Sequence, residues 1–368
     1  SLVDFNRAGI PLMELVTEPD LNSAEDAKRF AEELHRIFHY LNVSDADMEK
    51  GQMRVEVNIS LMRTNASTNN TNNIRGISGQ ISGNSRKLGT KVEIKNLNSF
   101  RAVERSIEYE IKRQEKLLEK GEKVVQETRG WDDAKGQTFS QRAKEEAHDY
   151  RYFPEPDLPI LHLGTPEFIN KIKSEIPELP QQKRERFKRE YEMAEAEIEI
   201  FIQNKELGEY FEKVISEFEP KLDHKKLLNL IKLTSNYLIS DLLGLLKGAS
   251  VAGEKFLITP ENFSEFISLI ETGRISSKAA KMVLSEMFAK GGDPSNIIKE
   301  KGLEQVSDTG ELESVIADIL KNNPKVVEDY KNGRTNAFQF LVGQIMAKTK
   351  GKANPKIVQE ILTKLLTK

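Results

Sequence analysis

A chain of 368 residues, 38% hydrophobic and 31% charged, has room for roughly two to three domains and enough apolar side chains to give each a core. The 55 Lys and Arg nearly balance the 58 Asp and Glu, and a net charge of −3 excludes a uniformly basic nucleic-acid coat, confining any RNA contact to a local patch. Cysteine is absent, which removes disulfides, thiolate nucleophiles and cysteine zinc sites, and no run approaches the roughly 18 apolar residues of a membrane span. A soluble chain in a reducing compartment is expected.

Leu12-Met-Glu-Leu-Val16 predicts a strand ending at the turn Glu18-Pro19-Asp20. Ser23, with Asp26 three residues on, then opens a helix over 24–41 with Ala27, Phe30, Leu34, Ile37, Phe38 and Leu41 on one face. Residues 53–60 alternate strictly, setting Val55, Val57 and Ile59 against Arg54, Glu56 and Asn58. Lys91-Val-Glu-Ile-Lys95 repeats the alternation, and Asn98 or Ser99 caps a helix over 100–120 that stops at Gly121. Two polar-faced strands feeding one helix predict an antiparallel sheet with a site on its open face. Residues 64–88 are rich in Asn, Ser, Thr and Gly and predict a disordered hairpin insertion.

Beyond Pro159 the composition turns helical, and Lys183-Arg-Glu-Arg-Phe-Lys-Arg-Glu190 reads as a solvated helix face. Thr259-Pro260 supplies an N-cap and first helical residue, Gly291-Gly292 ends one helix and Asp293-Pro294 starts the next. Short helices then run from 297 to 368, broken at Asn323-Pro324, Gly333 and Asn354-Pro355. His35 and His39 stand one helical turn apart, as zinc ligands can, but Arg36 occupies the place where a zinc-protease motif needs Glu, so they read as a helix-surface pair. From Asp329 onward eight Lys and Arg stand against Asp329 and Glu360 alone. A helix carrying Phe338, Leu341, Val342, Ile345 and Met346 leaves Lys348-Thr-Lys-Gly-Lys352 as a basic cluster at its end.

Polar groups concentrate in Asp4-Phe-Asn-Arg-Ala-Gly-Ile-Pro-Leu-Met-Glu14, Lys95-Asn-Leu-Asn-Ser-Phe100 and Asp149-Tyr-Arg-Tyr-Phe-Pro-Glu-Pro-Asp157. Each alone is compatible with turns and surface stacking. Together, carboxylates beside Lys, Arg and Asn suit a Mg²⁺-nucleotide site, because Mg²⁺ takes oxygen ligands and phosphoryl transfer needs cationic donors at developing charge. With Gly89-Thr-Lys-Val-Glu-Ile-Lys95, Gln126-Glu-Thr-Arg129, Leu233-Thr-Ser-Asn236, Ile275-Ser-Ser-Lys-Ala-Ala-Lys281 and Phe340-Leu-Val-Gly-Gln-Ile-Met346, these segments resemble the GatB family, the B subunits of the tRNA-dependent Asp/Glu amidotransferases. The resemblance spans essentially the whole chain except the Asn-rich insertion.

The resemblance implies an α+β chain: an antiparallel-sheet cradle domain over 1–165, an all-α helical domain over 166–296 and an all-α YqeY-like tail over 297–368. It implies ATP-dependent transamidation of misacylated Glu-tRNA(Gln) or Asp-tRNA(Asn). The side-chain carboxylate is phosphorylated, and ammonia that the amidase (A) subunit releases from glutamine displaces the phosphate. ATP and Mg²⁺ are the implied cofactors, and a small C subunit makes the assembly a heterotrimer. Glu14 and Glu56 are the implied Mg²⁺ ligands, Glu56 standing where many members carry Asp. Lys95, Asn96 and Asn98 would position phosphate or substrate, and Arg54, Arg151 and Tyr152 would contact nucleotide or the terminal adenosine. Lys331, Arg334, Lys348, Lys350 and Lys352 would dock tRNA, with no DNA or membrane partner. The family's cradle begins before Ser1, so an incomplete metal site is expected, in a bacterial cytoplasm unless a preceding segment directs the protein to a mitochondrion or plastid. The alternative is a non-catalytic tRNA-binding and assembly module of the same complex.

Overall fold

Ser23 sets the first helix: its Oγ accepts from the Asp26 N–H at 3.0 Å, and α1 (Ala24–Leu41) runs to Asn42, which takes φ 53° in the left-handed region. The computed structural model describes residues 6, 9–63, 74–75, 89–143, 156–157, 159–219, 222–305, 309–331, 334–349 and 353–366. They divide into two units, Ser1–Pro180 and Gln181–Lys368.

In the first unit β1 (Val55–Ile59) is followed by a short antiparallel ribbon of β2 (Met62–Arg63) and β3 (Ile74–Arg75), then by β4 (Val92–Leu97) and α2 (Phe100–Glu119). Then come β5 (Glu127–Asp132), β6 (Gln137–Ala143) and α3 (Pro166–Glu175). Four strands form one sheet in the order β1-β4-β5-β6. The outer pairs are antiparallel, but β4 and β5 are parallel, so the expected antiparallel sheet is corrected to a mixed one. The physical reason is α2. Capped by Ser99, whose Oγ accepts from the Ala102 N–H at 3.1 Å, it carries the chain back along the sheet, and β5 enters in the direction of β4.

The alternation read from sequence holds. Ile59, Val92, Ile94, Leu97 and Trp131 join Ala102, Val103 and Ile107 of α2 in one core, with Val55 and Val57 packed against it. Helix α1 lies against α2, and Lys28 pairs with Glu104 at 2.8 Å. Its buried residues are Ala24, Ala31 and Tyr40, while Phe30 of the expected apolar face is exposed.

The strand expected at Leu12–Val16 does not form. The segment is irregular and exposed, and among the described residues no strand lies beside it to complete a ladder. The expected disordered insertion lies outside the described residues, except for Ile74 and Arg75.

The second unit is helical. Around Phe187, Phe201, Phe211, Phe263 and Phe266 pack α4 (Pro180–Tyr191), α5 (Glu195–Gln203), α6 (Lys205–Ser216) and α7 (His224–Asn236), which continues through a π-helical stretch Tyr237–Leu242 into α8 (Leu243–Leu246). The same core takes α9 (Pro260–Glu271), α10 (Ser277–Lys290) and α11 (Pro294–Lys301), the last through Ile297 and Ile298. The expected punctuation is in place: Thr259 and Asp293 accept from the N–H groups of Asn262 and Asn296, and Gly291 ends α10 at φ 71°. A second core of Leu312, Ile316, Leu341, Ile345, Val358 and Leu362 gathers α12 (Thr309–Asn322), α13 (Pro324–Lys331), α14 (Thr335–Lys348) and α15 (Pro355–Leu366).

The charged run on α4 is corrected in part. Glu185, Lys188, Arg189 and Glu190 are exposed as expected, but Phe187 is fully buried and Lys183 is only 5% exposed, so one side of the run faces the core rather than solvent. Lys183 Nζ lies 2.6 Å from Glu212 and 5.4 Å from the Phe187 ring centre, and Arg184 pairs with Glu199. Partners from other helices, invisible in a local charge pattern, make the burial possible. Among the described residues no helix is long and apolar enough to cross a membrane.

Truncating the aromatic centre gives a direct test. Phe187→Ala should destabilise the protein by about 3–5 kcal/mol, seen as a lower urea midpoint at unchanged slope. A loss below about 1 kcal/mol would show that the site collapses around the smaller side chain.

Candidate functional site on the open face of the sheet

Because Val92, Ile94 and Trp131 turn toward α2, the residues between them face the other way. Glu93 and Lys95 of β4 and Gly130 of β5 therefore share the open face with Glu56 of β1. Lys95 Nζ lies 2.9 Å from Glu56 and 3.6 Å from Glu93. Thr128 Oγ1 donates to the second oxygen of Glu93 at 2.8 Å, which fixes that carboxylate. The hydrogen bond to Glu56 holds the Lys95 ammonium above the ordinary lysine range, outweighing its partial burial.

Two register shifts flank this group. Between Val55 and Val57, β4 carries one residue more than β1, and Asn96 there takes φ 67°, a conformation Asn tolerates. Its side-chain amide reaches the Trp131 carbonyl at 3.4 Å, tying β4 to β5. Between Thr128 and Arg129 the extra residue is Gln141 of β6.

The opposite face carries a buried polar network. Glu110 of α2 has no exposure and accepts from Arg113 at 2.6 Å, Gln114 at 2.9 Å and Thr138 at 3.2 Å. Arg129 donates to Thr138 Oγ1 at 2.8 Å and to Glu127 at 2.6 Å, and Ser140 donates to Glu127 at 2.5 Å. Burial alone would raise the Glu127 carboxyl, but the bonds from Ser140 and Arg129 and the charges of Arg129 and Arg113 hold it below the usual range.

Of the residues singled out from the sequence, Glu56 and Lys95 come together. Glu93 and Thr128 belong with them and were missed, although the alternation of β4 already set Glu93 beside Lys95. Arg54 is exposed just before β1. Glu14 is exposed, and among the described residues no hydrogen bond or ion pair joins it to the sheet. Asn98 lies past the end of β4, lining an open recess of about 510 Å³ with Phe100, Asp45 and the two histidines His35 and His39. His35 meets Phe100 edge-on at 5.5 Å and His39 at 4.5 Å. Burial first, then the neighbouring His39 and Arg36, lower its pKa. Arg151 and Tyr152 lie outside the described residues, as do Lys350 and Lys352. Lys331 is exposed, Arg334 pairs with Asp329 at 3.1 Å, and Lys348 pairs with Asp318 at 3.2 Å.

Among the described residues no three His, Asp or Glu side chains converge on one metal position. The pair Glu56 and Glu93, turned toward one cation, still fits Mg²⁺ by donor chemistry, since that ion is commonly held by one or two carboxylates with water and phosphate oxygens.

Residues 1–169 match the GatB/GatE catalytic domain and residues 209–366 the GatB domain. The B subunit of the aspartyl/glutamyl-tRNA(Asn/Gln) amidotransferase of Persephonella marina is 45% identical over 366 residues, covering 100% of this chain and 71% of that protein. The protein of the same name from Caldicellulosiruptor saccharolyticus is 45% identical over 371 residues with the same coverage. That of Thermotoga maritima is 43% identical over 366 residues, covering 70% of its length.

The two faces should respond differently to mutation. Arg129→Leu strips a cation from beside a buried carboxylate that keeps Arg113, and should cost about 3 kcal/mol in denaturant unfolding. Lys95→Ala breaks a half-exposed ion pair to Glu56 and a longer one to Glu93, which keeps its bond from Thr128, and should stay within about 1 kcal/mol of the parent. Equal losses would mean that the open face, too, is structural.

Proposed function

Because this chain belongs to the GatB family, we propose that it activates the side-chain carboxylate of glutamate or aspartate misacylated onto tRNA(Gln) or tRNA(Asn) by phosphoryl transfer from ATP. Family membership carries the tRNA-dependent amidotransferase role. The phosphorylation step rests on one observation, the Lys95 ammonium set between Glu56 and Glu93 on an open sheet face.

A carboxylate is a poor electrophile. Its oxygen attacks the γ-phosphorus and ADP leaves; ammonia then attacks the acyl carbon and inorganic phosphate leaves, giving the amide. Lys95, charged throughout the neutral range, is the donor for oxygens on which negative charge develops. Thr128 holds Glu93, and Glu93 and Glu56 hold Lys95, so the donor is oriented before substrate arrives. Mg²⁺, when bound, would neutralise phosphate charge, with Glu56 and Glu93 as its holders and Glu14 as a further carboxylate. Arg54, Arg151 and Tyr152 are the proposed nucleotide contacts, while Asn96 acts by bracing β4. The partners would be the amidase (A) subunit, which releases ammonia from glutamine, and a small C subunit, in a bacterial cytoplasm. The first unit is read as the cradle, and the two helical cores of the second as the helical domain and the tRNA-docking tail.

In the full-length complex, Lys95→Ala should lower ATP-dependent amide formation by about 10²–10³-fold while glutamine hydrolysis by the amidase persists. Undiminished amide formation would remove Lys95 from the mechanism. For the tail, neutralising Lys348, Lys350 and Lys352 together should reduce the slope of log affinity for tRNA against log salt by roughly two to three, because somewhat less than one counterion is released per phosphate contact. An unaltered slope in filter binding would place tRNA docking elsewhere.

A further inference from the structure

We propose that Phe139 and Gln141 of β6 form an adenine-binding subsite beside Lys95. The inference rests on the functional reading above and names two residues that neither the sequence motifs nor the ion-pair geometry had singled out.

Strand register places them. Lys95 is opposite Gly130, and Gly130 is opposite Phe139, so the three residues form a row across β4, β5 and β6 that the ion pair to Glu56 extends onto β1. Phe139 is 44% exposed, a large apolar ring on the face that also carries Glu56, Glu93, Lys95 and Thr128. It does not lean outward over the sheet edge. A Cβ added to Gly130 would come within 2.5 Å of the Phe139 Cζ and 2.7 Å of the Gln141 amide nitrogen. Both side chains therefore lie over Gly130, on the Lys95 side of their own strand, and a glycine leaves the backbone floor clear for them. Gln141 is the extra residue of the register shift, and such irregularities re-aim side chains beside functional sites.

The chemistry of this pair selects a base. An exposed aromatic face stacks a planar heterocycle, and a carboxamide beside it can accept from and donate to the N6 and N7 edge of adenine at once. Two strand spacings, about 10 Å, separate the backbones of Phe139 and Lys95, and the Phe139 ring leans over the strand between them. That span suits an adenine whose other end, a terminal phosphate or the carboxylate of an esterified amino acid, meets the ammonium. Both ATP and the 3′-terminal adenosine of tRNA present adenine with such an end.

The test is direct binding to the full-length complex, using ATP in one arm and tRNA with or without its terminal adenosine in the other. Phe139→Leu keeps an apolar side chain but loses the ring, and should weaken one arm by roughly five- to 150-fold, with Phe139→Trp restoring it. Gln141→Leu should lower the preference for ATP over GTP if the nucleotide arm is the one affected. Loss in the ATP arm assigns the subsite to the nucleotide, and loss confined to tRNA bearing its terminal adenosine assigns it to the acceptor end. Parent-like binding of both probes by Phe139→Leu, or failure of the parent to bind either, overturns the proposal. A parent complex that binds both probes yet forms no amide would instead overturn the functional reading and leave the subsite standing. Thermal melting confirms that the variants are folded, as expected for a side chain so exposed.

Discussion

The buried carboxylate of Glu110 is the constraint on which the first unit rests. A charge removed from solvent needs partners, and Arg113, Gln114 and Thr138 supply hydrogen bonds while Arg129 Nε stands 3.6 Å away. These groups come from one helix and two strands. Once they meet, α2 is locked onto β5 and β6, its apolar residues close over Val92, Ile94 and Trp131, and the alternate side chains are committed to the open face. The setting of Lys95 thus follows from a polar network on the other side of the sheet.

That division of labour separates stability from chemistry. The closed face combines apolar burial with satisfied charges, where any loss is costly. The open face holds ion pairs in partial contact with water, which contribute little to folding and leave their side chains available to a ligand. Asn96 and Gln141, one on either side of the row through Lys95 and Gly130, locally disturb the ladder, and each brings an amide group toward the middle strands.

The helical unit solves a different problem. Its first core is aromatic, with Phe201 and Phe211 stacked at 4.5 Å and Phe187 packed at an angle against both. Its charged helix α4 is accommodated because Glu199 and Glu212 arrive from α5 and α6 to meet Arg184, Arg186 and Lys183. At the surface of the second group of helices an acid on α12, Asp318, meets Lys348 and offsets part of the tail's basic excess.

Much of this was legible in the chain itself. Helix ends followed from Ser23, Ser99, Thr259 and Asp293 because capping is a contact between residues three apart. The inward faces of β1 and β4 followed from alternation, and the family from its motifs, since both are written in consecutive residues. What the sequence could not determine was every feature that depends on residues distant along the chain. The parallel pairing of β4 with β5, the absence of a strand at Leu12–Val16, the burial of Lys183 and the position of Phe139 over Gly130 each require a partner from another element. Local spacing specifies which way a side chain turns; only the packed structure decides what it meets, because that contact is made by chain segments the local pattern does not contain.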